Sequence, residues 1–232
     1  MICWSCEREA GAGPFCAACQ ALLPPAEGAD HFAVLGLPRR YGIDLGVAEG
    51  AYQKLSRRLH PDRFATADPR ARRASLAHTV QLNQAWRTLK DPVRRAEYLL
   101  ALAGVDVAGD DQKPSAGAQR ETRKVALPPA FLMEILELHD DFGEARRRGD
   151  AAKVAALTEE MRGRAAEAMK TIAAALDTGS AAAPEAARLD EAARALIALR
   201  YYRRFLDEAE AHEEGAALSA GPQMSEAGPR GG

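Results

Sequence analysis

Aromatic residues are scarce in this chain, at 6%, although apolar residues make up 47% of it. Alanine supplies much of the apolar share. That balance favours helices packed closely through small side chains over a β-sandwich, whose strands draw on aromatic and β-branched residues. Long apolar runs are also missing, and no window approaches the roughly 18 residues a membrane span needs. The opening MICWSC has neither a basic region nor an apolar stretch after it, so it reads as neither a secretory signal nor a transit peptide. A soluble cytoplasmic protein is expected. A net charge of −2 and a pI near 6.2 give no global attraction to nucleic acid or an anionic membrane. Any charge-steered contact must be local.

Cysteine is absent beyond residue 19, so the four thiols form one local site and not a disulfide framework for the whole chain. Cys3, Cys6, Cys16 and Cys19 make two CxxC pairs, CWSC and CAAC. A tetrahedral Zn²⁺ site takes four thiolates, and each CxxC turn supplies two from one knuckle. Gly11, Gly13 and Pro14 suit the turn between the knuckles. Apart from Trp4 and Phe15 there is almost nothing to bury, so residues 1–22 need a metal to fold. Structural zinc is the expected cofactor, with no organic cofactor. Iron in a rubredoxin-like site and a pair of redox-active thiols are the alternatives.

Residues 20–30, with Pro24, Pro25 and Gly28, read as a short stiff connector. DHFAVLGLP then gives a capped apolar turn, with Asp30 as N-cap and Gly36 as the stop. A helix is predicted over about 47–59, with Val47, Ala51, Leu55 and Leu59 facing inward and Lys54, Arg57 and Arg58 facing water. A second follows over about 70–89, its inner side marked by Leu76, Val80, Gln84 and the run Trp86 to Leu89, broadened by Leu82 and Ala85. Asp91-Pro92 starts a shorter helix to Leu102, stopped by Gly104. Periodicity disappears over 105–126, the best domain boundary in the chain. Three helices are expected beyond it, one starting near Phe131, one from Asp150 to Leu176 and one over about 184–213. Thr178-Gly179-Ser180 and Pro184 separate the last two. The remainder, 214–232, reads as a disordered tail.

Between the first two long helices lies HPDRF, His60 to Phe64, which sets an imidazole, a rigid ring and a carboxylate on one turn. No nucleophile and no phosphate-cradling glycine loop lies near it, so it reads as a contact epitope and not an active site. With DHFAVLGL before it and QLNQAWRTLKDPVRRAEYLL after it, this stretch resembles a J-domain, the DnaJ-type module that activates a DnaK-type chaperone ATPase. The LPxRYxID loop (Leu37 to Asp44), TVQLNQAW, RAEYLL and, further on, FLMEILEL are more closely similar to the HscB family of iron–sulfur co-chaperones. The paired CxxC front end looks like the zinc-binding extension of some family members.

The resemblance implies an all-α protein: a four-cysteine zinc knuckle (1–22), a J-domain helical hairpin (30–104), a linker (105–126) and a C-terminal three-helix bundle that binds the scaffold (127–213). It implies no enzyme activity of the chain's own. His60, Pro61 and Asp62 would contact an HscA-like chaperone of the DnaK type and trigger its ATP hydrolysis, with Lys54, Arg57, Arg58 and Arg63 steering the encounter. Leu132, Met133, Leu136, Glu137 and Asp140, with Tyr201 from the last helix, would bind an IscU-type iron–sulfur scaffold. Tyr202 and Phe205 compete with Tyr201 for that role, and Leu132 and Leu136 are equally readable as bundle core. Loss of Cys3 and Cys6 is expected to release the metal with little effect on ATPase stimulation. Three readings compete with the whole: a general J-domain co-chaperone with another client, a CxxC zinc or thiol redox protein, and a nucleic-acid-binding zinc module. The last is disfavoured because Arg8 is the only cation around the cysteines.

Overall fold

The computed structural model describes residues 1–107, 123–177 and 185–219, with the side chains of 213–219 excepted. The middle of the expected linker, the expected break at 178–184 and the tail from 220 lie outside the described residues. The chain is mostly helical and divides into two compact units. One contains Met1–Lys124 with Ala173–Ala192; the other contains Val125–Ile172 with Ala193–Gly232.

The first unit begins with the cysteine segment, whose backbone forms isolated antiparallel bridges between Ile2 and Glu9 and between Phe15 and Leu22. Helix α1 (His31–Leu35) is capped by Asp30, whose carboxylate accepts from the Ala33 amide, and ends at Gly36 in the left-handed region. Helices α2 (Leu45–Leu59) and α3 (Pro69–Lys90) are joined by a 3-10 turn, Pro61–Phe64. They run antiparallel: Tyr52 in the middle of α2 stacks on Trp86 near the end of α3, and Leu59 at the end of α2 packs on Ala71 and Ala74 near the start of α3. Helix α4 (Pro92–Leu102) starts at Asp91, whose side chain accepts from the amides of Val93 and Arg94. The core of this unit is Phe32, Leu35, Leu82, Ala85 and Leu89. Tyr98 ties α4 to α1, its hydroxyl accepting from the His31 amide at 3.0 Å.

Two inward stripes differ from the sequence reading. Val47 on α2 and Leu76 and Val80 on α3 are exposed, as is Gln84; the buried positions are Ala48 and Leu59 on α2 and Ala71, Ala74, Ser75, Leu82, Ala85 and Leu89 on α3. A strict four-residue spacing overshoots the 3.6-residue turn, so it drifts about 40° per step and carries Val47 about 120° away from Leu59. On α3 the seam is made by Ala71, Ala74, Ser75 and Ala85 together with Leu82 and Leu89, and not by Leu76 and Val80.

After α4, the two-residue strand β1 (Val105–Asp106) pairs in parallel with β2 (Arg123–Lys124), and Val105 and Val107 are buried. The ends of the stretch read as a linker are therefore paired to each other. In the second unit, α5 (Pro129–Arg148) ends at Gly149 in the left-handed region, and the Asp150 carboxylate caps α6 (Ala151–Leu176) by accepting from the Lys153 amide. Helix α7 (Ala186–Ser219) continues past Glu213, where the sequence reading ended it. Ala216, Ala217 and Leu218 are strong helix formers that carry it on. Helix α5 is antiparallel to α6, with ion pairs Asp141–Lys153 and Glu134–Arg164. Phe142 on α5 packs on Phe205 of α7, their ring centroids 4.7 Å apart.

Candidate functional site

The turn after α2 is built on Leu59. Its carbonyl, one of the four a helix C-terminus leaves unpaired, accepts a 2.6 Å hydrogen bond from the buried Ser75 hydroxyl of α3. His60 then leaves the helix in an extended conformation, and Pro61 opens the 3-10 turn. The Asp62 amide donates to His60 Nδ1 at 3.3 Å, and the Asp62 carboxylate lies 3.5 Å from the same nitrogen. His60 and Asp62 are exposed and Pro61 is half-buried, while Phe64 tucks under the turn beside Leu59. A packed base holds an exposed turn.

Lys54, Arg57 and Arg58 share one face of α2, being three and four residues apart, and Arg63 follows on the turn. None of the four forms an ion pair among the described residues. Helix α3 has no acidic side chain from Pro69 to Lys90. A local positive field therefore surrounds His60 although the whole chain is near neutral.

In the second unit, four large apolar side chains are left at the surface: Leu132 (39% exposed), Met133 (60%), Leu136 (60%) and Tyr201 (37%). Ile135, Phe142 and Ala145 fill the α5 core instead, so Leu132 and Leu136 are not bundle core. Tyr202 and Phe205 are buried, and Tyr201 is the outward-facing aromatic of the three. Half-buried Phe131 meets both tyrosines edge-on, at 5.9 and 6.0 Å. Glu137 and Asp140 are exposed on α5. His139 is turned toward α7, against the Phe205 ring and 3.6 Å from the Glu208 carboxylate.

The four cysteine sulfurs all lie within 4.8 Å of one another. Cys3 and Cys19 are 3.7 Å apart and Cys6 and Cys16 3.8 Å, far longer than a disulfide. A tetrahedron of thiolates at about 2.3 Å from a metal puts sulfurs about 3.8 Å apart. The donor set fits. The two knuckles repeat each other thirteen residues apart: Cys3 and Cys16 each bond to a residue five further on (Arg8, Ala21), and Glu7 and Gln20 each turn through positive φ. The thiols also share protons unevenly. The Cys19 amide leads in lowering Cys16 to about 7. For Cys6, the Arg8 amide lowers it, but burial and the three other thiols together outweigh this and raise it to about 11.

Three supporting residues were not singled out from sequence. Ser75 looks like any polar helix residue until its burial is known. Arg95 is buried, donates to the Leu89 carbonyl at 2.6 Å and lies over the Tyr41 ring, holding the Arg39–Asp44 loop against α4. His78 bonds the Leu23 carbonyl at 2.9 Å.

Two family profiles match: "DnaJ domain" over residues 30–98 and "HSCB C-terminal oligomerisation domain" over 127–210. A co-chaperone protein HscB homolog of Ralstonia nicotianae is 36% identical over 160 residues, covering 68% of this chain and 84% of that protein. Its counterpart in Bordetella petrii is 38% identical over 148 residues, covering 64% and 79%. Among solved structures, human co-chaperone protein HscB superposes with a TM-score of 0.70 at 24% identity over 92% of this chain and 98% of that one. Chaperone HscB from Vibrio cholerae gives 0.60 at 26% identity, over 81% and 99%. No described helix is long and apolar enough to cross a membrane. With a DnaJ-type hairpin in one unit and the HscB-type C-terminal bundle in the other, the chain belongs to the HscB family of co-chaperones.

Proposed function

We propose that this protein is an adaptor for iron–sulfur cluster assembly in the cytoplasm. It docks an HscA-like, DnaK-type chaperone through the His60–Pro61–Asp62 turn and presents an IscU-type scaffold on the bundle. The observation that carries this is the pairing, in one chain, of an exposed HPD turn on a braced helical hairpin with an exposed apolar patch on a separate unit. Lys54, Arg57, Arg58 and Arg63 accelerate and orient the encounter with an acidic surface of the chaperone. Leu132, Met133, Leu136 and Tyr201 bury their apolar area against the scaffold, bordered by Glu137 and Asp140. Two sites on one chain raise the effective concentration of the scaffold near the chaperone.

The chain performs no chemistry of its own on this reading. ATP is hydrolysed on the partner, and His60 and Asp62 act as contacts. Cys3, Cys6, Cys16 and Cys19 hold a structural Zn²⁺, which supplies folding energy to residues 1–22. The chaperone arm is tested by steady-state ATPase of a DnaK-type chaperone with this protein and with His60→Gln. Stimulation by the first and not the second, with unchanged circular dichroism, is expected. Equal stimulation by both rejects the HPD role.

A further inference from the structure

The cysteine knuckle and the docking turn share a core. Leu22, bridged to Phe15 across the second knuckle, is buried against Leu59, Ala71 and Ala74, with Trp4, Phe15, Leu55 and Phe64 closing round them. Leu59 is the residue immediately before His60. The Trp4 indole N–H donates to the Leu22 carbonyl at 2.8 Å, and the next carbonyl, that of Leu23, is the one bonded to His78 of α3. The chain leaving the knuckle is therefore fastened to both helices that carry the HPD turn.

Two aromatic rings of the knuckle also hold cations. The Arg58 guanidinium lies over the Phe15 ring, 4.7 Å from its centroid, and the Arg70 guanidinium over Trp4 at 5.8 Å. Arg58 precedes His60 by two residues, and Arg70 stands at the start of α3 on the other side of the turn. A free arginine on a helix surface samples many rotamers, and ordering it costs conformational entropy. Stacking on an aromatic face removes part of that freedom before any partner arrives.

We infer that Phe15 and Trp4 are positioning residues for the basic docking face, so that metal in the four-cysteine knuckle sets how tightly this protein engages its ATPase partner. The inference rests on the chaperone-docking reading given above. With metal bound, the knuckle is folded, the two rings hold Arg58 and Arg70 beside the HPD turn, and Leu22 seals Leu59. Without metal, a segment this short has too little core to stay folded. The rings then leave, the two arginines regain their rotamers, and the hydrophobic seat of the turn opens to water. The knuckle acts through Arg58 and Arg70 and does not touch the partner itself.

The test compares metal-loaded full-length protein with Phe15→Leu, which keeps apolar bulk but has no π face, and Phe15→Tyr, which keeps the face. The concentration giving half-maximal ATPase stimulation is expected to rise about three- to tenfold for Phe15→Leu, with the maximal rate unchanged, and to stay at the wild-type value for Phe15→Tyr. Two results overturn the inference: wild-type half-saturation in both variants, or equal impairment of both with a lowered melting temperature, which marks simple packing. A second readout needs no chaperone. Chelating the metal is expected to raise amide hydrogen exchange over 59–64, and unchanged exchange there overturns the coupling. A wild type that fails to stimulate, or a His60→Gln that still does, breaks the docking reading instead, and the exchange result then decides the coupling by itself.

Discussion

The Ser75 hydroxyl, fully buried in α3, donates to the carbonyl of Leu59, the last residue of α2. This single bond ties the end of one helix to the flank of the other, one residue before the HPD turn. Ser75→Ala leaves that carbonyl buried and unpaired, at a cost of about 1–3 kcal/mol. Denaturant unfolding of the full chain is expected to show the loss, together with faster amide exchange at Arg63, whose N–H bonds the His60 carbonyl. A Ser75→Ala protein as stable as wild type would mean that the turn is held by Leu59 packing alone.

Leu132→Ala with Leu136→Ala separates a binding patch from a core. Both side chains are exposed, so the bundle should keep its melting temperature to within a few degrees while scaffold affinity falls by about 2–4 kcal/mol. Calorimetric titration against an IscU-type scaffold reads the affinity. A double variant that unfolds, or one that binds normally, contradicts the assignment of these residues to the scaffold.

Arg95 tests how the Arg39–Asp44 loop is held. Its guanidinium is buried between the Leu89 carbonyl and the Tyr41 ring. Burial lowers its pKa from the usual value, yet it remains charged at neutral pH. Arg95→Met keeps the stem but removes a charged hydrogen bond, and a loss of about 1.5–3 kcal/mol in denaturant unfolding is expected. A neutral effect would show that the stem and Tyr41 packing suffice.

Acid should weaken the first unit through two of its histidines. Burial lowers the pKa of His31 and of His78 below 6.5. The unfolded chain then binds more protons than the folded one, so stability rises with pH through this window. The contribution is complete above about pH 6.5 and is lost as pH falls through the folded values. Melting temperatures between pH 7.5 and 5.5 should decline, and His78→Gln should flatten the slope. A flat profile in the wild type would contradict the lowering of both rings by their partial burial.

What was legible in the sequence was local. Asp30 and Asp150 cap their helices, Gly36 ends α1 and Pro92 opens α4, because each depends on neighbours within a turn. The clustering of the four thiols was legible from the cysteine spacing for the same reason. The inner faces of α2 and α3 were only half legible: Leu55, Leu59 and Leu89 pack inward, but Val47, Leu76 and Val80 do not, because alanines at the seam decide which way each helix rolls. Tyr201 could not be told from Tyr202 by pattern, since adjacent helical residues differ by about 100° and either could face out. Least legible was the seat of the knuckle. The expectation that losing Cys3 and Cys6 would leave ATPase stimulation nearly untouched came from treating residues 1–22 as a separate bead. Leu22 on Leu59 and Phe15 under Arg58 are contacts across about forty residues of chain, which no local spacing encodes, and on the inference above they make a higher concentration for half-maximal stimulation the expected result.

Single-turnover ATP hydrolysis by a DnaK-type chaperone, measured with this protein alone and then with an IscU-type scaffold added, tests the adaptor account most directly. The account predicts acceleration by this protein, further acceleration beyond the sum of the separate effects when the scaffold is present, and loss of both in His60→Gln. Acceleration that the scaffold does not enhance, or that survives His60→Gln, would contradict it.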